Sequence, residues 1–340
     1  MPIIARSTTE KQQDWRQILS QSLKTSGDIR DYLGLPPPCD SDQRNQALAS
    51  DEFPVLVPTT FLDLAEVGNP NDPITRQVLP DARETLIDPL YSTDPLSEAP
   101  ANIQPGIIHK YQGRALLLAA TGCAINCRYC FRRHFNYADN RISRSEWQMS
   151  LDHIRSDNSL NEIILSGGDP LMLQDHALQQ LIHAIEAIPH IRRLRIHSRL
   201  PIVIPQRLTN DLRQRLTKSR LSCSLVFHIN HANEIGPQLR KLLPEWKTSG
   251  ITLLNQSVLL KGINDDVDTL QNLSETLFDN GILPYYLYVL DKVQGAAHFD
   301  IPDAKAKYLF QQLHARLPGY LVPRLTREEP GKAGKTLLLG

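Results

Sequence analysis

The reading turns on residues 115–134, Ala115-Leu-Leu-Leu-Ala119-Ala-Thr-Gly122-Cys123-Ala-Ile-Asn-Cys127-Arg-Tyr-Cys130-Phe-Arg132-Arg133-His134. A short apolar, β-prone run ends in a polar loop dense in cysteine. Outward from it the same arrangement recurs, with β-prone runs at 115–119, 162–165, 194–197, 225–229, 253–259 and 285–290. Helical patterns lie between most of them. The clearest is 176–188, where Leu178, Leu181, Ile182, Ile185 and Ile188 form one apolar stripe. Strand and helix alternating at roughly 30-residue intervals is the βαβ pattern, and its repetition predicts a parallel sheet or barrel. Six such units are two short of a full eightfold barrel. The expected fold is therefore α/β, a partial TIM-type (β/α)6 barrel. Cys123, Ser166 to Asp169, Ser198, His228, Asn230 and Asp291 all fall at or just past the C-terminal ends of the runs, the face that carries active sites in βα barrels. Gln256 instead sits inside a run.

The flanks read differently. Residues 1–98 are expected to form a helical, loop-rich N-terminal region: Trp15, Ile18 and Leu19 have helical spacing before Pro36-Pro37-Pro38 breaks it. Phe61, Leu62, Leu64 and Val67 suggest a second short helix, ended by Gly68-Asn-Pro-Asn-Asp-Pro73. No catalytic constellation is visible there, so a packing or oligomerisation appendage is expected. Residues 99–300 would form the barrel, and 301–340 a C-terminal helix, loop and strand closing the site. The loop is Gly331-Lys332-Ala-Gly334-Lys335-Thr336, followed by the apolar Leu337-Leu-Leu339. A lysine in such a loop can reach a buried aldehyde and form a Schiff base.

Thirty-seven basic residues balance 37 acidic ones, which removes any global attraction to nucleic acid or an anionic membrane. The opening MPIIARSTTEKQQDW lacks an apolar signal region, and the longest apolar run, 115–120, is far too short to span a bilayer. A soluble cytoplasmic protein is expected. Of five cysteines, Cys39 and Cys223 stand alone and three crowd into 123–130. An odd count with tight clustering argues for a metal site over a disulfide framework. A structural zinc site or a simple ferredoxin-type cluster wants four ligands. Three thiolates as C-x3-C-x2-C instead leave one iron of a 4Fe–4S cluster open. Zinc completed by His134 is the alternative.

This spacing resembles the radical S-adenosylmethionine superfamily, and Tyr129 before the last cysteine matches its habit. From about residue 55 onward the chain is similar to the lysine 2,3-aminomutase family, in particular its short branch linked to elongation factor P β-lysylation. The likeness rests on 68–73, His109-Lys-Tyr-Gln-Gly-Arg114, the cysteine triplet with Phe131-Arg-Arg-His-Phe135, Ser166-Gly-Gly-Asp-Pro-Leu171, His228-Ile-Asn-His-Ala-Asn-Glu234, Leu254-Asn-Gln-Ser-Val-Leu-Leu260, Pro284-Tyr-Tyr-Leu-Tyr-Val-Leu-Asp291 and Gly319-Tyr-Leu-Val-Pro323.

The resemblance implies an isomerase converting α-lysine to β-lysine with three cofactors: a 4Fe–4S cluster, S-adenosylmethionine and pyridoxal 5′-phosphate. Cys123, Cys127 and Cys130 would hold the cluster. Ser166, Gly167, Gly168 and Asp169 would hold the S-adenosylmethionine amino group. Lys335, with Lys332 as its rival, would carry pyridoxal phosphate, and Arg114 with Lys110 and Tyr111 would bind its phosphate. Gln256 would also face a cofactor. Arg132 would take the substrate α-carboxylate, Asp291 and Glu328 the ε-ammonium, and Tyr288 would line the substrate. Glu328 stands where free-lysine aminomutases typically place an aspartate. Lysine, an electron donor, elongation factor P and its lysyl ligase are the expected partners, with a homo-oligomer allowed. The implied chemistry is hydrogen removal from the β-carbon by an adenosyl radical and migration of nitrogen from C2 to C3. Glutamate as substrate is disfavoured by two facing carboxylates, and arginine stays open. A binding or structural iron or zinc module would leave Lys335, Arg114 and Asp291 without a purpose.

Overall fold

The structure, a computed structural model, describes residues 14–98, 102–104, 106–135 and 144–338. Residues 1–13 of the expected N-terminal region and Leu339 of the expected terminal strand lie outside them. Four helices open the chain: α1 (Trp15–Ser20), α2 (Ser26–Leu33), α3 (Asp40–Glu52) and α4 (Thr59–Leu62). Helix α2 is delimited by local chemistry, a capping box between Thr25 and Asp28 and a left-handed Gly34 at its end. The helix expected over 61–67 is a single turn, and Leu64 and Val67 fall beyond it. Helix α3 has no counterpart in the sequence reading, because its sequence, DSDQRNQALASDE, carries almost no apolar stripe.

Ten strands form one sheet in chain order: β1 (Asn102–Gln104), β2 (Ile107–Tyr111), β3 (Arg114–Ala120), β4 (Glu162–Gly167), β5 (Arg193–Ser198), β6 (Ser222–His228), β7 (Thr252–Leu259), β8 (Leu283–Val289), β9 (Arg324–Arg327) and β10 (Thr336–Leu337). The six expected runs are β3 to β8, all parallel. Beyond the expectation, β9 adds a seventh parallel strand, and β1, β2 and β10 extend the sheet antiparallel. Strand β9, Arg-Leu-Thr-Arg, has one apolar residue in four and joins the sheet by tertiary pairing alone. Among the described residues β1 and β10 do not pair with each other, so the barrel stays open. Helices α5 (Arg144–Ser156), α6 (Asp175–Glu186), α7 (Leu200–Val203), α8 (Asn210–Thr217), α9 (Pro237–Lys247), α10 (Val267–Asp279) and α11 (Asp303–Arg316) complete the chain.

Strand alternation divides the sheet into two faces. Ala115 and Leu117 of β3, Ile163 and Leu165 of β4, and Leu194 and Ile196 of β5 join the helical stripe, Leu178 to Ile185, in the main core. The opposite positions mix charged, polar and aromatic residues, Arg114, Glu162, Arg195, His197, Gln256 and Tyr288, with the aliphatic Leu116, Ile164 and Val258. Branched aliphatics throughout would fill a barrel interior. These residues instead leave a cavity of about 790 Å³.

Candidate active site

The cysteine loop follows β3 and is fastened by the N-terminal region. Asn126 donates its backbone N–H to Leu56 O and its side-chain amide to Pro54 O, each at 2.9 Å. Arg128 donates its backbone N–H to Gln77 O at 2.9 Å. Its guanidinium grips Glu84 through Nε (2.9 Å) and Nη2 (2.6 Å), and Arg133 Nη2 reaches the same carboxylate at 2.9 Å. All three side chains are fully sheltered. The expected appendage therefore packs on the site itself.

Burial pushes all three thiols up, Cys130 to about 11, and neighbouring thiols add to the effect at Cys123 and Cys130. Such thiols ionise against a bound cation. Among the described residues the three sulfurs are not all within 4.8 Å of one another. Thiolates on one zinc ion would be about 3.8 Å apart, from Zn–S bonds of about 2.3 Å. His134, the alternative zinc ligand, has its Nε2 3.1 Å from Gln294 O. The donor set fits a cluster broader than a single ion.

Ser166 to Asp169 close against that loop. A Cβ on Gly167, at φ +122°, would lie 2.3 Å from Ala120 O, and one on Gly168 2.3 Å from Gly122 O. Only glycine permits that approach, which is drawn tight by Gly168 N–H to Ala120 O and Asp169 N–H to Gly122 O, both 2.8 Å. Asp169 borders the cavity. Its carboxylate accepts from Ser198 Oγ (2.7 Å), the Arg199 and Leu200 N–H groups (2.8 Å each) and Leu171 N–H (3.0 Å). What Asp169 supplies in this structure is the shape of the loop. Ser166 Oγ lies 3.4 Å from Arg132 Nη1.

The far end of the cavity gathers residues from distant segments. Pairing of β10 with β9 sets Thr336 opposite Arg327 and brings Lys335 beside Glu328. Lys335 lines the cavity, whereas Lys332 is exposed outside it. Lys335 Nζ donates to Glu328 Oε2 at 2.8 Å and lies 4.6 Å from the centre of the Tyr288 ring. Lys110 Nζ donates to Glu328 Oε1 at 3.0 Å and sits 3.4 Å from Glu98 Oε1. Glu98 in turn accepts from Arg132 Nε and Nη2, each at 2.8 Å. The result is one chain of alternating charge, Arg132–Glu98–Lys110–Glu328–Lys335.

Although burial opposes its ionisation, Lys335 and Lys110 hold the Glu328 carboxyl down at about 2. Burial, and then the Glu328 charge, push Asp291 up to about 7. Tyr111 rises to about 12 for the same two reasons. The Arg114 guanidinium stacks over the Tyr111 ring at 4.5 Å and makes no ion pair among the described residues. Gln256 borders the same cavity, in register with His228 on β6 and Tyr286 on β8.

Glu98 is the residue that sequence reasoning missed. It lies in a stretch without periodicity, and only folding brings it to Arg132. His197 and His228 also border the cavity, each with a buried, unpartnered Nε2. Burial lowers both, His228 to about 3, so they stand as neutral rings beside the charged chain.

Comparison with known proteins gives the family. A family model described as a 4Fe–4S single cluster domain matches residues 111–193. The L-lysine 2,3-aminomutase of Escherichia coli (strain K12) is 48% identical over 340 residues, 99% of this chain and 98% of that protein. That of Haemophilus influenzae is 47% identical over 328 residues, 96% of each chain. The enzyme of the same name from Acetoanaerobium sticklandii is 33% identical, covering 95% of this chain and 77% of its own. Among solved structures, a radical SAM methyltransferase from Sphaerobacter thermophilus aligns with 65% of this chain and 68% of its own, at 16% identity and a TM-score of 0.45. Full-length identity of this order places the chain in the L-lysine 2,3-aminomutase family, isomerases of the radical S-adenosylmethionine class that carry a 4Fe–4S domain.

Proposed function

We propose that the chain makes β-lysine in the cavity between Cys123, Cys127, Cys130 and Lys335, using pyridoxal phosphate at Lys335, and that the product serves elongation factor P. The observation that carries the reading is that the cysteine triplet and Lys335, some 200 residues apart in sequence, border one cavity of about 790 Å³, a volume in the usual range for small-molecule sites of about 300–1,000 Å³.

Bound, the cluster with S-adenosylmethionine supplies a radical that takes and returns hydrogen, and pyridoxal phosphate carries the amino group that moves. The chain's own residues bind, orient and exclude water. Arg114, stacked on Tyr111, offers an unpaired guanidinium fork to a phosphate. Glu98 holds Arg132 by its Nε edge, so Nη1, beside Ser166 and Gly167, is the donor that meets a substrate carboxylate. Asp291 and Glu328 receive the ε-ammonium. With Asp291 poised near 7, the positive charge of an arriving ammonium favours the carboxylate form, and the Asp291 proton is lost to water. A glutamate side chain would meet two carboxylates and be repelled. His197 and His228, neutral, add no competing charge. Lys335 gives up its contact with Glu328 when pyridoxal phosphate is held there, and the substrate ε-ammonium takes the place it vacates.

The link to elongation factor P is supported by the short-branch motifs and by near-complete coverage of the Escherichia coli relative, against 77% of the longer Acetoanaerobium enzyme. The test is an anaerobic assay of reconstituted protein with lysine, arginine or glutamate, products read by mass spectrometry and chiral separation. β-Lysine formed only with all three cofactors and a reductant is the expected result. No rearrangement of any of the three, with iron and pyridoxal absorbance intact, sinks the reading. The mass of elongation factor P from cells lacking this chain tests the destination.

A further inference from the structure

A second group of ligating side chains lies away from the cavity. His109 on β2, His153 near the end of α5 and Asp157 just past it each offer one ligand atom, and the three atoms lie within 4.8 Å of one another. Among the described residues this is the one such group of three. His109 Nδ1 is 3.9 Å from Asp157 Oδ2, too long for a hydrogen bond. The spacing suits two donors joined through one ion, since zinc–nitrogen and zinc–oxygen bonds of about 2.0–2.2 Å span up to about 4 Å. Nε2 of His153 is shielded from solvent and has no hydrogen-bond partner, an arrangement that buried polar atoms rarely keep. Asp157 is also preset: Oδ1 accepts from Ser159 N–H (3.0 Å) and Oγ (2.6 Å), which turns Oδ2 toward His109.

We propose that His109, His153 and Asp157 bind one divalent cation of the zinc type, with water in the remaining position. Two imidazoles and one carboxylate are a donor set of borderline softness, suited to zinc over calcium or magnesium. All three residues are half-buried, so an ion can enter from solvent. The site ties β2 to α5 directly beside Lys110 and Tyr111, which border the cavity, and so braces one wall of it. It uses none of the residues assigned to the lysine reaction and stands or falls separately from it.

The experiment uses the full-length protein, reconstituted anaerobically with its cluster, dialysed against micromolar zinc and then washed. Zinc and iron are counted in the wild type and in His153→Gln and Asp157→Asn. The expected result is one zinc per wild-type chain, lost from both variants at unchanged iron, with zinc raising the Tm of the wild type alone. Asp157→Asn, on a partly exposed side chain, carries the test if His153→Gln does not fold. Equal zinc in the wild type and the variants, as zinc on vacant cysteines would give, overturns the proposal. So does a wild type that retains none.

Discussion

The two ends of the cavity are built in opposite ways. At the cysteine end the ligands lie within eight residues, and their loop is bolted down by Arg128 and Arg133 on Glu84, three side chains with no exposure at all. At the lysine end the groups come from β2, β3, β8 with the loop just past it, and residues 328–335. Lys110, Glu328 and Lys335 keep 16–20% of their side-chain surface open. A cluster gains from a cradle that does not move. On the proposed reading the other end releases one ammonium and takes another, which a chain of exchangeable ion pairs permits. Rigidity is placed where nothing is exchanged.

Replacing Cys127 with Ala is the most severe break. Iron and activity should both vanish while visible absorbance from pyridoxal phosphate persists, and wild-type iron in this variant would refute the cluster assignment. Lys335→Ala should do the reverse, removing that absorbance and reducing activity to background at unchanged iron. Together the two variants show whether the ends load independently.

Next in size is Glu84→Gln, which strands two buried cations. Breaking a buried pair from one side costs about 3–5 kcal/mol, readable as a lower urea midpoint. Glu328→Gln, at the more open end, leaves two part-exposed lysines with a neutral partner and should cost less in the same measurement. Equal losses would erase the contrast between the ends. Arg114→Ala should weaken pyridoxal phosphate binding by about tenfold to a hundredfold, the worth of a charged hydrogen-bonding partner of about 1.5–3 kcal/mol.

The last effect is a matter of pH. Asp291 sits at about 7 in the fold against about 3.9 in an unfolded chain. The folded state therefore binds this proton more tightly, and the contribution is full below about 4 and lost as pH rises through 7. Glu328, at about 2 against about 4.3 unfolded, acts with the opposite sign, contributing above about 4.3 and failing as pH falls through 2. Asp291→Asn should flatten the decline in stability between pH 4 and 7 and leave the acid limb in place, as followed by thermal unfolding across pH.

Legibility tracked how local each feature is. Strands β3 to β8 and helix α6 were readable because their apolar periods are short and clean, and the cysteine triplet because its ligands are neighbours in sequence. Strand β9 and helix α3 were not, since Arg324-Leu-Thr-Arg and Asp40–Glu52 carry no period of their own. Glu84 and Glu98 carry no local signal in the sequence. Each became decisive only when folding buried it against an arginine 34 or more residues away.

By itself, then, the sequence determined the parallel α/β core and the candidate cysteine triplet, because periodicity and residue spacing act over a few residues, whereas the need for glycine at 167 and 168 came from packing against Ala120 and Gly122. The tertiary structure alone decided that Lys335 and not Lys332 faces the cavity, that Glu98 holds Arg132, and that Asp291 and Glu328 differ so widely in acidity. Those outcomes depend on burial and on which charge lies within a few ångströms, quantities that exist only once distant segments are packed together.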